Sequence, residues 1–373
     1  MARGPGIGSP LHLRAHPIPL FALQPDKLVR MRAWALLLAA GLLAGNARGQ
    51  DAAVPTLPDG VSNDTIKAIQ RGLEFLAREQ NKDGSWRSAG GFGSYPVVMS
   101  SLAGLALIAG GSTPERGPHA KQVRRAVNFC LSQQQPNGLF AAPAEEQRSM
   151  YGHGFAMLFL SQAYGMEEDI ERQRRIRVAL EKGIVLTSKS QSNDGGWLYT
   201  PDSNGDEGSV TVTQVQALRG CRNAGILVPK ETIDKAIKYI ERSQNPDGGI
   251  SYSVRSRGSR PAISAAACAV LYNAGQYDSN MAHKCFEYAW KHCKPQGGND
   301  GHFFYTQLYM SQASWQKAER FWPEYYKDIQ KFLLRTQGGN GSWNGDGVGL
   351  VYGTAIALLI LQIPYNQLPI LSR

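Results

Sequence analysis

The chain is poor in the features that mark common enzyme classes. Its five cysteines (Cys130, Cys221, Cys268, Cys285 and Cys293) are an odd number with no CxxC spacing. That pattern argues against a disulfide framework and a thiolate zinc site, and the five read as small buried helix residues. There is no GxSxG, no HExxH and no Walker loop, so nucleophile-elbow hydrolysis, zincin chemistry and P-loop phosphate binding lack their motifs. No cofactor and no metal is implied. Basic runs are missing too. The formal net charge is +10, but 1–49 carries six Arg/Lys and one acid, which leaves +5 for the other residues. Those charges are scattered, so no nucleic-acid partner is expected.

Long apolar runs are also absent. The longest near the start extends from Ala33 to Leu43, too short to span a bilayer. With Arg32 before it and Ala47-Arg48-Gly49 after it, 31–49 reads as a secretory signal. The expectation is an exported protein, periplasmic or extracellular, cleaved near Gly49 and without a transmembrane anchor. The organisation that follows is 1–49 as an upstream extension plus signal, 50–63 as a linker, 64–368 as one domain and 369–373 as a tail.

What the chain has in abundance is one repeated phrase: Gln, three residues, Gly, one residue, a large apolar side chain. It reads QNKDGSW at 80–86, QPNGLF at 135–140 with Gln134 ahead of it, QSNDGGW at 191–197, QNPDGGI at 244–250 and QGGNGSW at 337–343. A degenerate copy, GGNDGHF, covers 297–303. The central glycines (Gly84, Gly138, Gly195, Gly248, Gly301 and Gly341) lie 40–57 residues apart, a period that means a solenoid or closed array. A repeat cannot bury its apolar face alone, so six copies make one domain.

Each phrase joins two kinds of helix. Ile66, Ile69, Leu73 and Leu76 before the first phrase, and Ile233, Ala236, Ile237 and Ile240 before the fourth, mark helices with one buried stripe. The segments after the phrases, such as VVMSSLAGLALIA and ISAAACAVLYNA, are apolar or small on nearly every face. Both of their faces should be buried. Gly110, Gly165, Gly225 and Gly275 are the expected left-handed residues after them. Six wet–buried pairs close into a double ring, an all-α (α/α)6 toroid. All inner helices then start at the same mouth, with free N–H groups that favour an anion.

QxxxGxW followed by a small-residue helix resembles the QW motif of the terpenoid cyclase and protein prenyltransferase superfamily. The resemblance covers 64–368. It implies that Gln80, Gln191 and Gln337 fasten neighbouring repeats and stack on Trp86, Trp197 and Trp343. For squalene–hopene-type cyclases it implies a DxDD(T) acid motif. Here the corresponding stretch is Asp206-Glu207-Gly208-Ser209-Val210-Thr211, with glycine and serine in place of the catalytic pair. For prenyltransferase β-subunits, Tyr151-Gly152-His153-Gly154-Phe155 resembles the diphosphate-binding His segment, but the Asp, Cys and His of the zinc site are not found.

The candidate catalytic residues are therefore His153, Asp206 and Glu207; the two acids also suit a helix start as caps. Candidate ligand contacts are Tyr151, His153, Arg255, Arg257, Arg260, Tyr305 and Tyr352. The arginines, with a protonated His153, would hold an anionic head, and the tyrosines would line a cavity. Three functions stay open. The preferred one is a non-catalytic toroid binding a small molecule, glycan or peptide in its centre. The others are an isoprenoid cyclase or prenyltransferase, and a carbohydrate-active lyase or glycosidase.

Overall fold

A computed structural model describes residues 57–91, 93–296 and 301–371. The stretch read as a signal, 31–49, and the first half of the linker, 50–56, lie outside the described residues. Among those described, twelve α-helices are present and no strand beyond isolated bridges. The six outer helices are α1 (Asn63–Glu79), α3 (Ala120–Ser132), α5 (Ile170–Lys189), α7 (Lys230–Arg242), α9 (Asn280–His292) and α11 (Phe321–Thr336). The six inner helices are α2 (Pro96–Ala109), α4 (Ser149–Tyr164), α6 (Gly208–Asn223), α8 (Pro261–Asn273), α10 (Phe303–Lys317) and α12 (Leu350–Leu361). Each inner helix packs on the next, and α12 packs back on α2, so the inner ring is closed. The all-α toroid is the fold.

Burial follows the sequence pattern. Every residue of α2 is buried, whereas α7 buries only Thr232, Ala236, Tyr239 and Ile240. Ser62, Asp169 and Ser279 cap the outer helices α1, α5 and α9 through their side chains, accepting from the backbone N–H three residues on. No helix among the described residues is long and apolar enough to cross a membrane. All five cysteines are buried, and none is joined to another among the described residues.

The repeated phrase is a joint between repeats. Gln80 Nε2 donates to Gly84 O within its own loop and to Gln122 O on the next outer helix, at 3.0 and 2.9 Å. Gln134, Gln191 and Gln244 repeat this toward Ala179, Thr232 and Met281. Gln337 donates to Gly341 O and to Ala68 O on α1, both at 2.9 Å, so the last joint closes on the first helix. The glycine lets the loop touch that helix. Gly248 has φ +88°, and a Cβ there would lie 2.5 Å from Lys284 O. The tryptophans are buried anchors: Trp86, Trp197 and Trp343 Nε1 donate to Leu76, Thr187 and Leu333 carbonyls on the preceding outer helix.

Two expectations are corrected. Gly225 and Gly275 are left-handed (φ +78° and +81°), but Gly110 and Gly165 are not, and Gly111 (φ +87°) takes that role after α2. The chain end is also more than a tail. Leu368, Ile370 and Leu371 are buried, and Ile370 N donates to Gln162 Oε1 in the last turn of α4 at 3.1 Å. Residues 368–371 thus pack beside the C-terminal end of α4, opposite the mouth.

Candidate functional site

The inner helices run in the order α2, α4, α6, α8, α10, α12 around the ring, so α4 faces α10 and α6 faces α12. Contacts between non-neighbours must cross the interior. Gln216 on α6 donates to Gln312 Oε1 on α10 at 2.6 Å, past α8. Nearer the mouth, Tyr151 of α4, Glu207 at the start of α6, Tyr305 and Tyr309 of α10 and Tyr352 of α12 lie within electrostatic reach of one another. Four of the candidates, Tyr151, Glu207, Tyr305 and Tyr352, therefore converge.

Glu207 is the buried acid of this group. Its Oε2 accepts from Val210 N at 2.8 Å, Ser209 Oγ at 2.7 Å and Tyr151 Oη at 3.4 Å. Tyr151 and Ser209 hydroxyls are 2.5 Å apart. Burial pushes the Glu207 carboxyl above the usual range, and the hydrogen bonds only partly oppose it. Burial also raises the phenols of Tyr151, Tyr305 and Tyr352, with nearby carboxylates adding to the rise. The hydroxyls of Tyr305 and Tyr309 make no hydrogen bond although they are buried. Such groups are costly unless something pairs with them.

The remaining candidates do not join the group. Asp206 Oδ2 accepts from Val254 N at 2.9 Å and ties two rim loops together. His153 is wholly buried between inner and outer helices. Its Nδ1 accepts from Phe140 N at 3.2 Å, and Nε2 pairs with Thr187 Oγ1 at 2.9 Å. Other repeats use a hydroxyl there: Ser100, Thr211, Ser264 and Thr354 accept from Trp86, Trp197, Ile250 and Trp343 N. Burial drops the His153 pKa to about 4, so the ring is neutral where it was expected to hold an anion. Arg255 is exposed and pairs with Asp194 at 3.6 Å, while Arg257 and Arg260 are exposed on the rim.

Sequence reasoning missed the capping of the mouth. Four inner N-termini are filled by the loop of the following repeat. Glu145 accepts from Val97 and Val98 N at the start of α2, at 2.9 and 3.1 Å. Tyr199 O takes Met150 N of α4, and Tyr252 O takes Gly208 N of α6. Asp346 accepts from Phe304 and Tyr305 N of α10, at 3.0 and 3.1 Å. At four of the six inner starts, N–H groups expected to attract an anion are thus occupied, two sets by carboxylates, whereas α8 and α12 have no side-chain cap. Cationic side chains on α4, α6, α8, α10 and α12 are limited to Arg219, Arg222 and Lys317, in the last turns of α6 and α10. No group of three or more potential metal ligands is present among the described residues.

No protein-family model matches the chain. Two curated relatives do: drimenyl diphosphate synthase of Streptomyces showdoensis, 27% identical over 197 residues, and human lanosterol synthase, 28% identical over 148. The aligned stretches are 52% and 37% of this chain but only 34% and 20% of those proteins. The type II terpene cyclase MstE from Scytonema superposes with TM-score 0.59 at 17% identity, over 82% of this chain and 99% of that one. The chain is therefore similar in sequence to terpenoid cyclases over part of its length and shares their toroid fold. Its shape is shared more widely. A family 76 glycoside hydrolase from a bovine Bacteroides thetaiotaomicron strain superposes with TM-score 0.60 at 10% identity, over 82% of this chain and 78% of that one. Within the superfamily, MstE has been crystallised with its substrate geranylgeranyl dihydroxybenzoate.

Proposed function

We propose that this chain is a non-catalytic toroid that holds a small, largely apolar ligand in the centre of its ring. The observation that carries the reading is the state of the two acids at the start of α6. Asp206 is bonded to Val254 N and Glu207 to Val210 N, and Gly208 and Ser209 follow them. Carboxyls engaged by backbone N–H groups serve as caps and loop ties. The inner helices supply what such a site needs: buried apolar side chains along their length, and buried hydroxyls without partners. The same export signal that the sequence suggests would place this activity outside the cytoplasm.

The test is incubation of the purified chain with squalene and a geranylgeranyl arene, followed by gel filtration and mass spectrometry of the extract. Unchanged substrate eluting with the protein supports the proposal. A second reading rests on the elevated pKa of Glu207, which suits a Brønsted acid. Cyclised product that disappears in Glu207→Gln would replace the first reading with acid-catalysed cyclisation. The glycosidase reading has less support, because Glu145, Glu207 and Asp346 all serve as helix caps.

A further inference from the structure

The head-group chemistry of the central site can be read from what its mouth contains, and this inference rests on central binding as proposed above. Tyr309 is 0% exposed, and its hydroxyl makes no hydrogen bond. Thr213 of α6, which comes near it past α8, gives its own proton to Ser209 O at 2.8 Å. Tyr305 stacks edge-on against Tyr309 with ring centroids 5.0 Å apart, and its hydroxyl is equally unpaired. Above them stand the Glu207 carboxyl, with its Ser209 and Tyr151 partners, and Asp346 at the start of α10. The N–H groups that would serve an anion at α2, α4, α6 and α10 are already taken. Arg148 is exposed and lies over the ring of Tyr199, 5.2 Å from its centroid.

We propose that the site selects a ligand whose polar end donates hydrogen bonds, an alcohol or a protonated amine, and rejects one with a phosphate or carboxylate end. The acceptors for that end are Glu207, Tyr305 and Tyr309. An anionic end would face Glu207 and Asp346, and like charges at close range in a poorly solvated site repel strongly. A donor end instead pairs with the Glu207 carboxyl and with the oxygens of the Tyr305 and Tyr309 hydroxyls.

The experiment uses three probes with one apolar body: farnesol, farnesylamine and farnesyl phosphate, each titrated against the full chain at pH 8 by quenching of intrinsic fluorescence. Farnesol and farnesylamine should bind about tenfold or more tightly than farnesyl phosphate. Tyr305→Phe, which keeps the ring and removes the hydroxyl, should weaken the alcohol. Glu207→Gln should narrow the gap to the phosphate, with its melting curve checked beside wild type. Equal affinity for all three probes, tighter binding of the phosphate, or an unchanged order in both variants would overturn the inference and leave central binding standing. Failure of all three probes to bind wild type would overturn the central-binding reading itself, and this one with it.

Discussion

At the scale of single residues, burial of two titratable groups sets opposite pH responses. His153 has its pKa depressed from 6.5 to about 4, so the unfolded chain binds a proton there that the folded chain refuses. Its contribution to stability is complete above about pH 6.5 and is lost as pH falls toward 4. Glu145 is raised from 4.5 to about 7 by burial, so the folded chain holds a proton more tightly than the unfolded one. Its contribution is present at low pH and is lost as pH rises through about 4.5 to 7. Each effect is worth on the order of 3 kcal/mol, and in wild type they largely cancel between pH 4.5 and 6.5. Single variants should separate them. His153→Asn keeps an acceptor for Phe140 N, and its stability should fall as pH rises across this window, with Glu207 adding to the fall. Glu145→Gln should show the reverse slope. Urea unfolding at half-unit pH steps reads both; slopes of the same sign in the two variants would refute the assignment.

The residue scale also shows where the sequence was hard to read. Gln80, Trp86 and Gly84 were legible because their role repeats at fixed spacing. His153 was misleading because its place in the repeat was not compared with the others. It lies 13 residues after Phe140, where Ser100, Thr211 and Ser264 lie 14 after their own large apolar residue. That register was the available signal that His153 accepts a backbone hydrogen bond inside the wall. Tyr151, Tyr305 and Tyr352 stand out by their place at inner-helix starts and Glu207 by its place in the stretch that resembles the DxDD(T) motif, and that shared position brings them together.

At the scale of elements, the two helix classes are stabilised differently. Several outer helices carry their own caps, whereas the inner helices α2 and α10 borrow theirs from the next repeat, 41–48 residues away for Glu145 and Asp346. Local capping can be read from a sequence window; borrowed capping depends on the ring and cannot. The loops between the classes rely on left-handed glycines, but not all for the same reason. Gly248 is left-handed and pressed on Lys284 O, whereas Gly301 is left-handed (φ +72°) with nothing within 4 Å. Gly301→Ala should cost only the backbone term, about 1–2 kcal/mol. Gly248→Ala must also push the loop off α9, and it should cost clearly more. Matched denaturation curves test this ordering, and equal losses would mean that the contact with α9 contributes nothing.

At the scale of the whole molecule, closure is what distinguishes this chain from an open solenoid. In an open array the terminal joint has a partner on one side only, and the ends fray first. Here Gln337 and Gln191 make the same pair of bonds, one within the loop and one to the next outer helix. For Gln337 the next outer helix is α1, at the other end of the domain. Truncating either side chain to alanine leaves two carbonyls without their partner, Gly341 O and Ala68 O in one case and Gly195 O and Thr232 O in the other. Each loss should cost about 1–3 kcal/mol. A closed ring has no end joint, so Gln337→Ala and Gln191→Ala should destabilise by similar amounts in one cooperative transition. Hydrogen exchange adds the local view: Gln337→Ala should speed exchange in both α1 and α11, although nearly the whole domain separates them in sequence. A much smaller loss for Gln337→Ala, with faster exchange confined to α11, would mean that the ring opens readily at this seam and that the first and last repeats are held together by packing alone.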